Sequence, residues 1–226
     1  MNIINQNIKT EIIKKDQNLN YIFLNEDNYN IDETIEVLEN VNLNFLIGDF
    51  KASNKDINLI FNLHRNAHVY VDVISISRLS FIKKFHICIN HLEENSYSRC
   101  KMIGINDDNA TLIFKGDSFI KNGAKYSDTI QETRITNLSF DCKSEASPGL
   151  YIKENDVKAS HKASLGSYNE NDIYYLLSRG LTLKESKLLI SNGQLYPIIL
   201  KIDDESVKKN IELTIKEILK WTLVKI

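Results

Sequence analysis

Proline occurs twice, tryptophan once, cysteine three times and glycine only eight times in 226 residues. Cys88, Cys100 and Cys142 are too few and too widely spaced for a disulfide framework. Neither sign of charge dominates: 28 basic against 30 acidic side chains leave a net charge of −2. Such a balance gives no field to draw nucleic acid or an anionic membrane, so neither partner is expected. No apolar run approaches the roughly 18 residues of a membrane span. The first residues show no basic stretch followed by an apolar one, so no signal peptide is read there. The expectation is a soluble, cytoplasmic protein. Several enzyme signatures are also missing: Gly-x-x-x-x-Gly-Lys-Ser/Thr, Gly-x-Gly-x-x-Gly, Gly-x-Ser-x-Gly and His-Glu-x-x-His. Nucleotide is therefore not expected to be bound or hydrolysed by this chain itself. Scarce glycine and proline beside abundant asparagine and isoleucine read as AT-rich codon usage more than as chemistry.

What is present is an ordinary globular composition, 42% hydrophobic and 26% charged. That is enough to bury a full core, as one large domain or one with a small appendage. Residues 1–20 are polar with scattered isoleucines, and a frayed end is expected at their beginning. Residues 21–24 read as a short strand, and 31–41 fit helix and strand about equally. From residue 43 strands dominate, over 43–47, 57–61, 69–76 and 85–90, and then over 103–105, 111–114, 118–120, 135–140 and 150–152. Alternation places Val69, Val71 and Val73 on one face and Tyr70, Asp72, Ile74 and Ile76 on the other. Turn signals recur at Asn66-Ala, Asn106 to Asn109, Asn122-Gly and Asn155-Asp without a strict period. Many short strands with uneven turns fit a sandwich, a barrel or a β-helix, and periodicity does not choose among them.

The stretch 153–193 is the most informative. An extended, small-residue segment carries His161, turns at Gly166, and is followed by helical signals. Asn169 is a good N-cap, with Ile173, Leu176 and Leu177 on one helical face. Gly180 follows Arg179 and suits a left-handed stop. Thr182 and Glu185 form a capping box opening a second helix, which is expected to end at Gly193. Pro197 is placed in a connection. Asp203 is expected to cap a third helix with Val207, Ile211, Ile215 and Ile218 as its apolar stripe and Trp221 at its end.

This stretch resembles the C-terminal signature of the SufB/SufD proteins of the SUF iron–sulfur assembly machinery. The residues carrying the resemblance are Asp156, Val157, Lys158, Ser160 and His161, then Gly166, then Tyr174, Tyr175, Leu176, Ser178, Arg179 and Gly180. Upstream it extends through 110–116, 122–127 and 148–152 and fades before about residue 85. The resemblance implies a right-handed parallel β-helix, mainly β and short, followed by a small C-terminal α-helical domain. The division expected is a core over 1–165 and a helical domain over 166–226. The chain is about half the usual family length.

The resemblance also implies function: a non-enzymatic scaffold or accessory subunit of iron–sulfur cluster assembly. Its partners would be a SufC-type ABC ATPase and either a second copy or a SufB/SufD sister subunit. SufD-type members hold a histidine at the position of His161, at a subunit interface implicated in binding the nascent cluster. An imidazole can ligate iron or relay protons; equally, a histidine at a strand edge can simply hydrogen-bond a turn. Several relatives have cysteine where this chain has Ala159, and the scaffold type has acidic residues where it has Ser160 and Lys162. Lys162 would repel iron, so a transient cluster here would take further ligands from another subunit. Cys142 is the second candidate metal ligand, one residue past the column where scaffold-type relatives place a cysteine. The alternative for it is a buried filler. Tyr174, Tyr175, Leu176 and Arg179 have the composition of an interface hot spot and would dock the ATPase. The alternative is that the tyrosines cover the end of the β-helix, or that one turns inward and one outward.

Other constellations are weaker. His86 and Cys88 alternate onto one strand face, and a turn would be needed for His91 to join them as a metal site. His64 and His68 flank a turn and read as solvated. Two other classes of function stay open. One is a parallel β-helix enzyme acting on carbohydrate or acyl substrates, for which His91, Glu93, Glu94 and Arg99 are the nearest cluster. The other is a purely structural oligomer.

Overall fold

The computed structural model describes residues 1–202 and 204–222, without the side chains of 218–222. Thirteen strands wind as a parallel β-solenoid of about five turns. Seven of them build one sheet: β1 (Asn2–Ile4), β3 (Gln17–Phe23), β5 (Asn42–Asp49), β7 (His68–Ser77), β9 (Tyr97–Asn106), β11 (Asp128–Asn137) and β13 (Lys158–Gly166). The facing sheet holds six: β2 (Glu11–Ile13), β4 (Tyr29–Val37), β6 (Lys55–Leu63), β8 (Ile82–His91), β10 (Thr111–Ile120) and β12 (Lys143–Ile152). Each strand pairs in parallel with the strand two places along the chain. The chain therefore alternates between sheets and climbs one coil at a time, as the family resemblance implies. The stretch over 31–41 that fitted helix and strand alike contributes to β4. The N-terminal stretch is not a frayed start, because Ile8 and Ile13 are buried and β1 and β2 already belong to the sheets.

Period-two patterning produces this coil. In β6, Ile57, Leu59, Phe61 and Leu63 point inward, while Asp56, Asn58, Ile60 and Asn62 point outward. Parallel register then stacks inward residues in columns, such as Phe45, Val71 and Cys100. The interior is one apolar cluster running from Ile8 to Ile135. Asparagine stitches the coils together outside: Asn44 donates to Asn18 at 2.8 Å, Asn66 to Asn40 at 2.8 Å and Asn90 to Asn62 at 2.8 Å. Asn40, Asn66 and Asn95 take positive φ at the corners, a conformation asparagine tolerates better than most residues. Some of the asparagines therefore have a structural use as well.

The helices are α1 (Glu170–Ser178), α2 (Leu183–Ile199) and α3 (Glu205–Thr222). Asn169 caps α1, Gly180 follows it with φ +89°, and Thr182 and Glu185 form the expected capping box. α2 does not end at Gly193, and Pro197 lies inside it rather than in a connection. The reason is tertiary. Leu195, Ile198 and Ile199 are buried against the outer face of the seven-stranded sheet, at Ile22, Leu46, Phe50, Ile74, Ile76, Ile103 and Ile105. Burying such side chains stabilises by about 1.5–3 kcal/mol each, more than the ~1 kcal/mol that a helical glycine costs. The sequence-assigned faces of β7 are both used, with Val69, Val71 and Val73 in the lumen and Ile74 and Ile76 under the helices. Asp203, Ile218 and Trp221 lie outside the described residues or side chains. Asp204 accepts from the N–H groups of Ser206 and Val207 at the start of α3, whose Val207, Ile211 and Ile215 complete the same cluster.

Candidate functional site

His161 stands in the middle of β13, in register with Gln131 and hence on the column of Phe45, Val71, Cys100 and Gln131. It shares the lumen-side face of the sheet yet is exposed, because no further coil lies over it. β13 pairs only with β11 and β12 only with β10, so each has an unpaired edge at this end of the solenoid. No residue of β13 is buried.

The lumen beneath this open end is polar. Ser98 and Thr129 hydroxyls lie 2.7 Å apart, and Thr129 donates to Ser118 at 3.0 Å. Gln131 Nε2 donates to Ser118 at 2.7 Å and to the Gly149 carbonyl at 3.1 Å. His91 closes the network, with Nδ1 2.7 Å from Ser96 and Nε2 2.8 Å from Ser98. Burial pushes the His91 pKa down to about 4, so its imidazole is neutral. Gln131 Oε1 and Thr133 Oγ1 are buried without a hydrogen-bond partner.

Cys142 lies in the turn between β11 and β12, not on a strand, so the question of which strand face it occupies does not arise. Its thiol donates to the Ser139 carbonyl at 3.0 Å, and burial holds its pKa above the usual thiol range. The register position of His161 lies six residues before the end of β11, roughly 20 Å at the rise of a strand. One chain therefore does not bring His161 and Cys142 together. Among the described residues no group of three or more His, Cys, Asp or Glu is arranged to hold a metal ion.

His86 and Cys88 share an outward face as expected, but His91 points inward and cannot join them. His86 Nε2 instead meets Asp117 at 2.8 Å, which also pairs with Lys115 at 3.4 Å. Burial raises the Cys88 pKa to about 11 and that of Cys100 to about 12, so both stay protonated thiols. His64 is not simply solvated: it bridges Glu93 at 3.1 Å and Glu36 at 3.2 Å. The cluster that an enzyme reading required is dispersed. Glu93 serves His64, Glu94 pairs with Arg65, Arg99 pairs with Asp72, and His91 is inside.

α1 offers its surface to solvent. Tyr174 is 75% exposed and Tyr175 55%, Leu176 is half-buried, and Arg179 is exposed with its guanidinium 5.2 Å from the centre of the Tyr175 ring. Neither tyrosine turns inward to cover the solenoid. Two ion clusters escaped the sequence reading because their members are far apart in the chain. Asp72 binds Arg99 and Lys201, and Asp49 binds Lys55 and Lys83 inside a corner of the coil. A charge at an inward strand position, as at Lys55 and Lys83, was the available signal.

A parallel β-solenoid ending in an uncapped coil, with helices packed on its outer face, defines the class of protein. Residues 5–194 match the family model described as "SUF system FeS cluster assembly, SufBD core domain", which extends the likeness well upstream of the sequence-read half. The chain belongs to this family of iron–sulfur cluster assembly proteins. It is 33% identical over 138 residues to the iron–sulfur cluster assembly protein SufD of Bacillus subtilis, covering 61% of this chain and 32% of that protein. It is 35% identical over 81 residues to an iron–sulfur cluster assembly SufBD family protein of Pyrococcus horikoshii, covering 34% of this chain and 18% of that protein. The matched stretches thus span a third or less of these relatives' lengths. No helix among the described residues is long and apolar enough to cross a membrane.

Proposed function

We propose that the chain is a scaffold or accessory subunit of the SUF machinery that docks a SufC-type ABC ATPase through its helical region, 166–226. The open last coil would meet a second copy or a sister subunit. The observation that carries this reading is that coil itself: two strands with free edges, no buried residue in β13, and His161 aligned on the lumen column at its rim. Free strand edges in a soluble protein are ordinarily covered. Tyr174, Tyr175, Leu176 and Arg179 form the docking surface, an aromatic and guanidinium patch exposed on α1. The nascent cluster is cargo in this scheme. His161 supplies one ligand at the joint, and the partner supplies the others, because one chain does not gather enough of them. Cys142 could act only at a separate point of contact. Closure of two ATPase subunits would strain the joint and shift it toward a ligand-exposing state. The chain itself catalyses no reaction in this reading and works in the cytoplasm.

Two measurements test it. The tagged chain should retain its ATPase through gel filtration, and Tyr174→Ala with Arg179→Ala should release it; failure of the wild type to form that complex sinks the docking assignment. Anaerobic iron–sulfide reconstitution of the complex should give visible absorption that His161→Ala diminishes. Unchanged absorption in both His161→Ala and Cys142→Ser removes these ligands and leaves docking untouched.

A further inference from the structure

A cleft of about 310 Å³ opens on the outer face of the seven-stranded sheet, where the connection from α2 to α3 leans over the coil. Asn18, Asn44, Tyr70, Asp72, Arg99 and Lys201 line it. At its floor Asp72, 5% exposed in its side chain, accepts from Arg99 Nη2 at 3.2 Å and from the Lys201 ammonium. A structural ion pair needs one cation, and Asp72 has two. Among the described residues lining the cleft, two cations therefore face one carboxylate. The adjoining charges on the same face, Lys101 and Glu132, neutralise each other at 3.3 Å.

The donors are held in place and only partly used. The Arg99 guanidinium lies 5.5 Å from the centre of the Tyr70 ring, which leans on Tyr97 with centroids 5.4 Å apart. Arg99 Nε is buried and has no partner. Lys201 is 42% exposed in its side chain, and its ammonium has two further protons beyond the one given to Asp72. On one wall Asn44 donates to Asn18, and this pair of amides supplies further donors and acceptors. The volume is at the small end of ligand sites, room for on the order of ten waters. The apolar neighbours Phe45 and Leu46 are themselves buried, so the lining suits a hydrophilic occupant.

We propose that this cleft binds a small hydrophilic organic anion. A carboxylate or phosphate would sit between Arg99 and Lys201, with hydroxyl or carbonyl groups along the asparagine wall. Charge-assisted bonds to a guanidinium and an ammonium give such a site its strength. Lys201 belongs to the helical region and the remaining donors to the solenoid, so an occupant touches both. The site is independent of the assembly reading above.

Calorimetric titration of the full chain with citrate, ribose 5-phosphate and neutral ribose tests it. At least one anion should bind saturably below about 10 mM and ribose should not, and the anion that binds identifies the head group. Lys201→Met, at a partly exposed position, should weaken binding roughly tenfold without lowering the melting temperature much, and Arg99→Met should weaken it further. Saturation by neither anion, equal binding of ribose, or unchanged affinity in Lys201→Met would overturn the proposal.

Discussion

Replacing Asp49 by asparagine removes the carboxylate that pairs directly with two lysines sealed inside the solenoid. Asp49, Lys55 and Lys83 all have fully buried side chains, with Lys83 Nζ 2.6 Å and Lys55 Nζ 3.8 Å from the carboxylate. Ser75 donates to Asp49 Oδ2 at 3.0 Å. The lysines also donate to carbonyls, Lys83 to those of Lys51 and Ile76 and Lys55 to that of Asp27, each at 2.7 Å. Asparagine keeps the shape and leaves two buried ammonium groups without their directly paired counter-charge. Removing one partner of a buried pair costs about 3–5 kcal/mol. At roughly 2–4 °C per kcal/mol for a chain of this size, the melting temperature should fall by about 6–20 °C. Urea unfolding followed by circular dichroism gives the free energy directly. Adding Lys83→Met to Asp49→Asn should recover part of the loss, because one stranded charge is then gone. A cost below about 1 kcal/mol for Asp49→Asn, or a double variant weakened by the sum of both single losses, would refute the buried-charge argument.

Three further outcomes follow from particular contacts. Burial pushes the Lys55 pKa from 10.5 down to about 8, so across that interval the folded state has released a proton that the unfolded chain still holds. The stability of wild type relative to Lys55→Met should accordingly rise with pH through that interval, by on the order of 3 kcal/mol, and a flat difference in urea titrations would contradict it. A Cβ on Gly104 would sit 2.5 Å from Leu112 Cδ2 and 2.8 Å from Phe114, so Gly104→Ala should lose about 1–3 kcal/mol in thermal unfolding. Glu93 and Glu36 hold the His64 pKa above 6.5 against a desolvation that lowers it. The stability this adds is complete below 6.5 and fades as pH rises through the folded value, so His64→Gln should flatten the wild-type decline above pH 6.5.

Features fixed by neighbouring residues were legible in the sequence. The caps at Asn169 and Thr182, the glycine stop at Gly180 and the two faces of β7 depend on spacings of a few residues. The coil was not legible from periodicity, because its repeat drifts. Coil-to-coil partners are 26 residues apart at Asn18 and Asn44, 28 at Asn62 and Asn90, and 31 at Ser98 and Thr129. Family resemblance supplied what the period withheld. Gly193 and Pro197 misled for the opposite reason: local propensity favours a stop, and the core formed by Leu195, Ile198 and Ile199 outweighs it. His161 was identified by its motif, but its alignment with Gln131 and Cys100 depends on pairings 30 or more residues away. The Asp72 cluster needed a contact spanning 129 residues and left no trace in any window of sequence.

The shift of the interior from aliphatic side chains to hydroxyls and amides toward β13 bears on how the molecule comes apart. In a solenoid each rung leans only on its neighbours, so stability is a sum of local terms along an axis. Rungs around Phe45, Phe61 and Val71 are welded by oil, whereas those around Thr129 and Gln131 are tacked by a few polar stitches beneath an unroofed strand. Opening should begin at that weak terminus and travel inward like a zip. A protein seated there would act as a lid on the last rung, so assembly and folding of the final turns become one event.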